Sequence, residues 1–188
     1  MADVPSQKTT QLQTQGLPST RAAAKALWGA KSLDDVIDLS LSFTVPVEAS
    51  VTRRLQALSQ PIPPPTPVNI IGLISKPTPS CGRTSQDRQF YYVNGRPCDM
   101  PKLQKAVNEV YKSFNATQFP LVIADVQLPT EGVDVNVSPD KRTVLLGSEG
   151  NLITALKVCG LLCLCGTREL NPSIGSVGEC VLSCAFDV

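Results

Sequence analysis

Residues 88–128 read RQFYYVNGRPCDMPKLQKAVNEVYKSFNATQFPLVIADVQL, and three periodicities follow one another within them. RQFYYVN is aromatic and β-branched, so it reads as a strand. Asn94-Gly95 is a tight-turn signal with a short return strand behind it, which predicts a hairpin. From Met100 to Asn115 the spacing changes to that of a helix. Leu103, Val107, Val110, Tyr111 and Phe114 share one stripe, while Lys102, Lys105 and Lys112 lie off it. FPLVIADVQL (119–128) then reads as a strong strand. A strand, a helix and a second strand in this order demand a sheet with a helix laid on it.

Working outward, VNIIGLIS (68–75) reads as a buried strand. VIDLSLSFTV (36–45) alternates, with Ile37, Leu39, Leu41 and Phe43 on one face and Asp38, Ser40 and Ser42 on the other. Residues 51–59 carry weak helical spacing. Seven of the sixteen prolines fall between 61 and 79, and residues 60–67 read as a rigid Pro-rich connector. STRAAAKALWGA predicts a short helix capped at Ser19 or Thr20 and stopped at Gly29, with Leu27 and Trp28 as its anchors. Residues 1–18 are polar and read as disordered. Val133, Val135 and Val137 alternate with Asp134 and Asn136, predicting a strand beside 119–128. SPDK is a turn, and GNLITALKV predicts a final helix. The whole order predicts an α+β fold: a two-layer sandwich, a mixed β-sheet with helices on one face.

The chain has 188 residues and no histidine, which excludes a His-based triad, a His–zinc site and a His-ligated haem. No apolar run reaches the roughly 18 residues of a membrane helix. The polar start lacks the apolar core of a secretory signal, so a soluble intracellular protein without a membrane partner is expected. Net charge is +1, but residues 76–112 hold seven positive groups against three negative. Such a segment suits a phosphate backbone and equally a solvated surface. Five of the seven cysteines lie in the last thirty residues without C-x-x-C spacing. They read as free thiols rather than a metal site or disulfide framework. No P-loop and no paired acids occur, since Asp125, Asp134 and Asp140 are scattered, and no catalytic residue is assigned. Asn115-Ala-Thr117 matches a glycosylation sequon without a secretory context.

VDVNVSPDKRTVLL (133–146) places Lys141 and Arg142 at a turn beyond a strand, where a lysine can meet a phosphate as a point charge or remain solvated. Taken with DRQFYYVNGRPCD (87–99) and VNEVYKSFNATQFP (107–120), it resembles the MutL family of DNA mismatch repair proteins, most nearly the eukaryotic PMS-type subunit. The resemblance covers roughly residues 15–158, and more weakly includes LPSTRAAAKALWGAKSL.

The resemblance implies a transducer domain of ribosomal protein S-five domain 2-like fold over residues 19–158, without the family's ATPase and endonuclease motifs. It implies no enzyme activity for the chain alone. ATP and Mg would be engaged only through a separate ATPase domain, with Lys141 contacting the γ-phosphate. Asn136 and Pro139 would shape the loop, and Asp134 and Asp140 would support it. Arg83, Arg88, Arg96, Lys102, Lys105 and Lys112 become DNA-binding candidates. DNA, a MutL-homologue partner subunit and a MutS-type recognition complex become the expected partners, and the nucleus the expected location. Residues 159–188 depart from the family pattern as an atypical Cys-rich tail, which suggests a gene-model boundary. Two alternatives stand beside this: a stand-alone nucleic-acid-binding module of ribosomal-type fold, and a non-functional gene fragment.

Overall fold

A computed structural model of the chain describes residues 16–129, 133–134, 145–146, 149–164 and 181–182. It divides into two units at Asp34/Asp35. The first holds helix α1 (Thr20–Trp28) and a 3-10 turn (Ala30–Leu33). Ser19 caps α1 as predicted, its Oγ accepting the Ala22 N–H at 3.1 Å. Gly29 ends it at φ +81°, its N–H bonded to Lys25 O. The buried side chain of α1 is Ala24, while Leu27 and Trp28 are only half-buried. With three consecutive alanines, the face that packs closest is the one with the smallest side chains.

The second unit is built on a six-stranded sheet in the order β4-β3-β5-β2-β1-β8. Its strands are β1 (Val36–Val45), β2 (Thr66–Ser75), β3 (Gln89–Val93), β4 (Arg96–Pro97), β5 (Val122–Gln127) and β8 (Val181–Leu182). A separate pair joins β6 (Val133–Asp134) to β7 (Leu145–Leu146). Helices are α2 (Ala49–Ala57), α3 (Pro101–Lys112) and α4 (Glu149–Leu164). β1 runs antiparallel to β2 in full ten-residue register, and β2 antiparallel to β5. β3 lies parallel to β5, Gln89 opposite Val122 through Val93 opposite Val126. A parallel pair needs a crossover, and α3 supplies it. The α+β mixed sheet expected from the sequence is therefore the fold found.

Alternation decides which face is covered. Ile37, Leu39, Leu41, Phe43 and Val45 of β1 share a core with Val68 and Ile70, Tyr91 and Val93, and Val122, Ala124 and Val126. Leu103 and Ala106 of α3 and Leu152, Ala155, Leu156 and Cys159 of α4 close it from the helical side. Two long-range bonds fix the helices to the sheet. Tyr111 donates its hydroxyl to Lys76 O at 2.7 Å, and Asn151 donates to Pro46 O at 2.9 Å.

Three expectations are corrected. The strand at Val133 does not join the strand at 119–128. Both edges of β5 are already bonded, to β2 and to β3, so β6 pairs with β7 instead. The last helix does not stop near residue 158 but continues to Leu164. Its added turns are apolar, Cys159 is fully buried, and at Gly160 the helix lies against the Val110 side chain of α3. Cys159, read from the sequence as a free thiol, is disulfide-bonded, whereas Cys81 and Cys98 are free.

Candidate functional site at the basic face of α3

The loop from Lys76 to Arg88 is held from both sides before it delivers its charges. Arg83 and Phe119 exchange backbone bonds of 2.7 and 2.8 Å. Gln118 Oε1 accepts three donors, Ser80 N–H, Gly82 N–H and Asn115 Nδ2. The last of these settles the sequon, because the Asn115 amide is buried and committed to Gln118 and to Thr78 O. A glycan cannot be attached there while the fold persists.

Beyond this anchor Arg83 turns back on Asp87. Its Nε and Nη2 donate to the two carboxylate oxygens at 3.0 and 2.9 Å, a two-pronged pair. Ser85 Oγ donates to the same carboxylate at 2.6 Å. The Arg83 hydrogen bonds, aided by Ser85, hold the Asp87 carboxyl down at about 2. Arg88 Nε lies 4.0 Å from Asp87. It is half-buried, and burial lowers its own pKa.

A ladder of side-chain amides links this loop to α3. Gln89 Nε2 donates to Asn108 Oδ1 at 2.7 Å and to Pro120 O at 3.1 Å. Gln104 Nε2 and Asn108 Nδ2 donate to Gln89 Oε1 at 3.0 and 3.3 Å. The ladder floors an open cleft of about 380 Å³ whose rim carries Gln86, Lys105, Glu109 and Lys112, with Phe119 as a wall. Lys112 Nζ sits 4.9 Å from the centre of the Phe119 ring, a cation–π contact.

The six basic candidates are not equivalent. Lys105 and Lys112 stand at the cleft, and the Arg83–Arg88 loop adjoins it through Gln86. Lys102 is paired with Glu149 of α4. Glu109, between the lysines, pairs with Lys157, whose hydrogen bond lowers its pKa. Arg96 sits in β4 beside Val93, about 17 Å of strand from Arg88. Among the described residues neither Arg96 nor Lys105 has an ion-pair partner within 4.0 Å. The structure thus gathers four of the six around one face and leaves Arg96 apart. Lys141, Asn136 and Pro139 lie outside the described residues. No cluster of metal-ligating side chains occurs among the described residues.

Sequence reasoning missed the amide ladder and the Arg83–Asp87 clasp. The clasp had a local signal in its four-residue spacing, while the ladder joins positions nineteen apart and had none.

Comparison with known proteins places this arrangement. A family model described as "DNA mismatch repair protein, C-terminal domain" matches residues 50–159. The chain belongs to the MutL family of DNA mismatch repair proteins, as a PMS-type member. It is 35% identical over 150 residues to "Mismatch repair endonuclease PMS2" of Gallus gallus, covering 80% of this chain and 17% of that protein. It is 49% identical over 90 residues to "DNA mismatch repair protein PMS1" of Saccharomyces cerevisiae, covering 48% of this chain and 10% of the other. A solved structure, "Crystal Structure of N terminal domain of a DNA repair protein", aligns with a TM-score of 0.62 at 35% identity, over 75% of this chain and 39% of that one. The MutL-family chain spans about a sixth or less of these curated relatives. Its basic α3 face, its amide ladder and strands β2 to β5 fall within the segment matched by the family model, while β1 and β8 lie outside it.

Proposed function

We propose that this chain acts as the transducer of a MutL-type mismatch repair ATPase. It would couple ATP binding and hydrolysis in a neighbouring domain to DNA binding and to rearrangement of a paired MutL-homologue subunit. The observation that carries the reading is the span of the family match, which runs from α2 through β2 to β7 and α3 into α4. The chemistry agrees. Phosphoryl transfer depends on charge stabilisation at the γ-oxygens, and a lysine supplied by a second domain ties that stabilisation to domain position. Lys141 has that role in this reading, supported by Asn136 and Pro139, while ATP and Mg are bound by the partner domain. The face carrying Lys105, Lys112, Arg88 and Arg83 suits a DNA backbone, because cations at a cleft rim meet phosphates without reading bases. Action alongside a MutS-type complex in the nucleus follows from the same reading.

The test combines this chain with the matching ATPase domain. ATP turnover should appear with the wild-type chain and fall at least tenfold with Lys141→Ala. Equal turnover in both removes Lys141 from the mechanism.

A further inference from the structure

Six of the chain's eleven glutamines directly follow a serine or threonine, at Ser6, Thr10, Thr14, Ser59, Ser85 and Thr117. That is more often than the share of these residues in the sequence accounts for. A protein kinase that reads glutamine immediately after its acceptor would see each pair as a candidate, and the structure ranks the three it describes. At Thr117 the glutamine is unreadable, since Gln118 Oε1 is held by three N–H donors. Ser59, just past α2, is held at φ +52° with its N–H on Gln56 O, so an extended substrate pose would require this turn to open. Ser85 and Gln86 are both exposed in irregular backbone between the Arg83 anchor and β3. The Ser85 hydroxyl is bonded to Asp87 alone among the described residues, and the Gln86 amide touches only Gln104, at the 3.5 Å limit.

We infer that Ser85 is a phosphorylation site for a Ser/Thr-Gln-directed kinase, and that the modification transfers Arg83 from Asp87 to the new phosphate. In the reaction Ser85 Oγ attacks the γ-phosphorus of ATP and a new O–P bond forms. The bond from that phosphorus to the β,γ-bridging oxygen breaks, ADP leaves, and the hydroxyl proton passes to the kinase's base. The product replaces the proton that Ser85 Oγ gives to Asp87 at 2.6 Å with a phosphate group of charge about −2. Two anions on neighbouring side chains repel. The Arg83 guanidinium, already forked on Asp87, fits phosphate oxygens with the same geometry. Arg88 Nε, 4.0 Å from the same carboxylate, is drawn the same way. The loop's two arginines become internally neutralised, and the basic face is reduced to its α3 lysines. This last consequence for DNA rests on the reading under Proposed function, whereas the modification and the re-pairing do not.

The full chain is incubated with ATP and a purified kinase of this class, and phosphopeptides are mapped by mass spectrometry. Phosphate should appear at Ser85, and Gln86→Ala should slow it about tenfold or more. No incorporation at Ser85 in the folded chain, or an equal rate with Gln86→Ala, overturns the site. Phosphorus NMR of the modified chain then tests the re-pairing. The second phosphate pKa should lie below that of the excised peptide, and Arg83→Gln should restore it. Identical titrations in chain and peptide overturn the switch. Both readouts are taken without DNA, so a failure of the DNA-binding reading leaves them untouched.

Discussion

Gly72 sits in the middle of β2 at φ +155°, opposite Ala124 of β5 and Leu39 of β1. A Cβ built there would lie 1.8 Å from Ile123 O, 2.8 Å from Ile123 C and 3.1 Å from Ala124 Cα. All three are backbone atoms, so no rotamer change relieves the contact. Gly72→Ala must therefore push β5 away by more than an ångström or rotate β2 out of register. A side chain at this backbone angle costs about 1–3 kcal/mol. Weakening two β2–β5 hydrogen bonds adds about 1 kcal/mol each. The sum is about 3–5 kcal/mol, a large share of the roughly 5–15 kcal/mol that keeps a domain folded. Thermal unfolding followed by circular dichroism should show the midpoint lowered by about 6–20 °C. Gly95→Ala is the matched control. Gly95 also has positive φ, at +77°, but nothing lies within 4 Å of its added Cβ, so only the backbone cost of about 1 kcal/mol applies. Equal losses at the two glycines would refute the steric argument and reduce Gly72 to a matter of backbone angle.

Two tyrosines should respond with opposite signs. Among the described residues Tyr91 OH is buried without a hydrogen-bond partner, so Tyr91→Phe should hold or raise stability by about 1 kcal/mol in urea titrations. Tyr111 is fully buried with its hydroxyl on Lys76 O and its pKa pushed up to about 12 by burial, so Tyr111→Phe should cost about 1–2 kcal/mol. The Asp87 carboxyl, depressed from 3.8 to about 2, contributes stability above pH 3.8 that disappears as pH falls through 2. Carboxyl NMR should record that low value, and Arg83→Ala should return it towards 3.8; an unmoved titration would remove Arg83 as its cause. Lys105→Gln and Lys112→Gln should each lower the salt dependence of duplex DNA binding by about one counterion, and Lys102→Gln, paired with Glu149, by less. Equal slopes for all three would contradict the division of the basic face.

Elements whose burial alternates along the chain were legible in the sequence. β1 occupies the predicted span because Ile37, Leu39, Leu41 and Phe43 all face the core, and α3 follows its stripe through Leu103, Val110 and Tyr111. What stayed hidden depends on partners distant in sequence. Nothing near Val133 says that β5 has no free edge. Nothing near Lys157 says that the next turns of α4 meet Val110. The basic residues were visible as a cluster, but their commitments were not, since Lys102 is paired forty-seven positions away. The family resemblance reached the right fold because its motifs lie on the strand-helix-strand unit that organises the sheet.

The position of β5 has a mechanical meaning. It is bonded on both sides, Val122 and Val126 are fully buried, and it leads directly into residues 130–148, which α4 receives at the other end. A pull on the chain after β5 enters the sheet at an interior strand rather than at an edge. Edge strands peel away one bond at a time, whereas a strand clamped between two neighbours yields only when two ladders are sheared together. A load carried into β5 is therefore shared between its ladders to β2 and to β3.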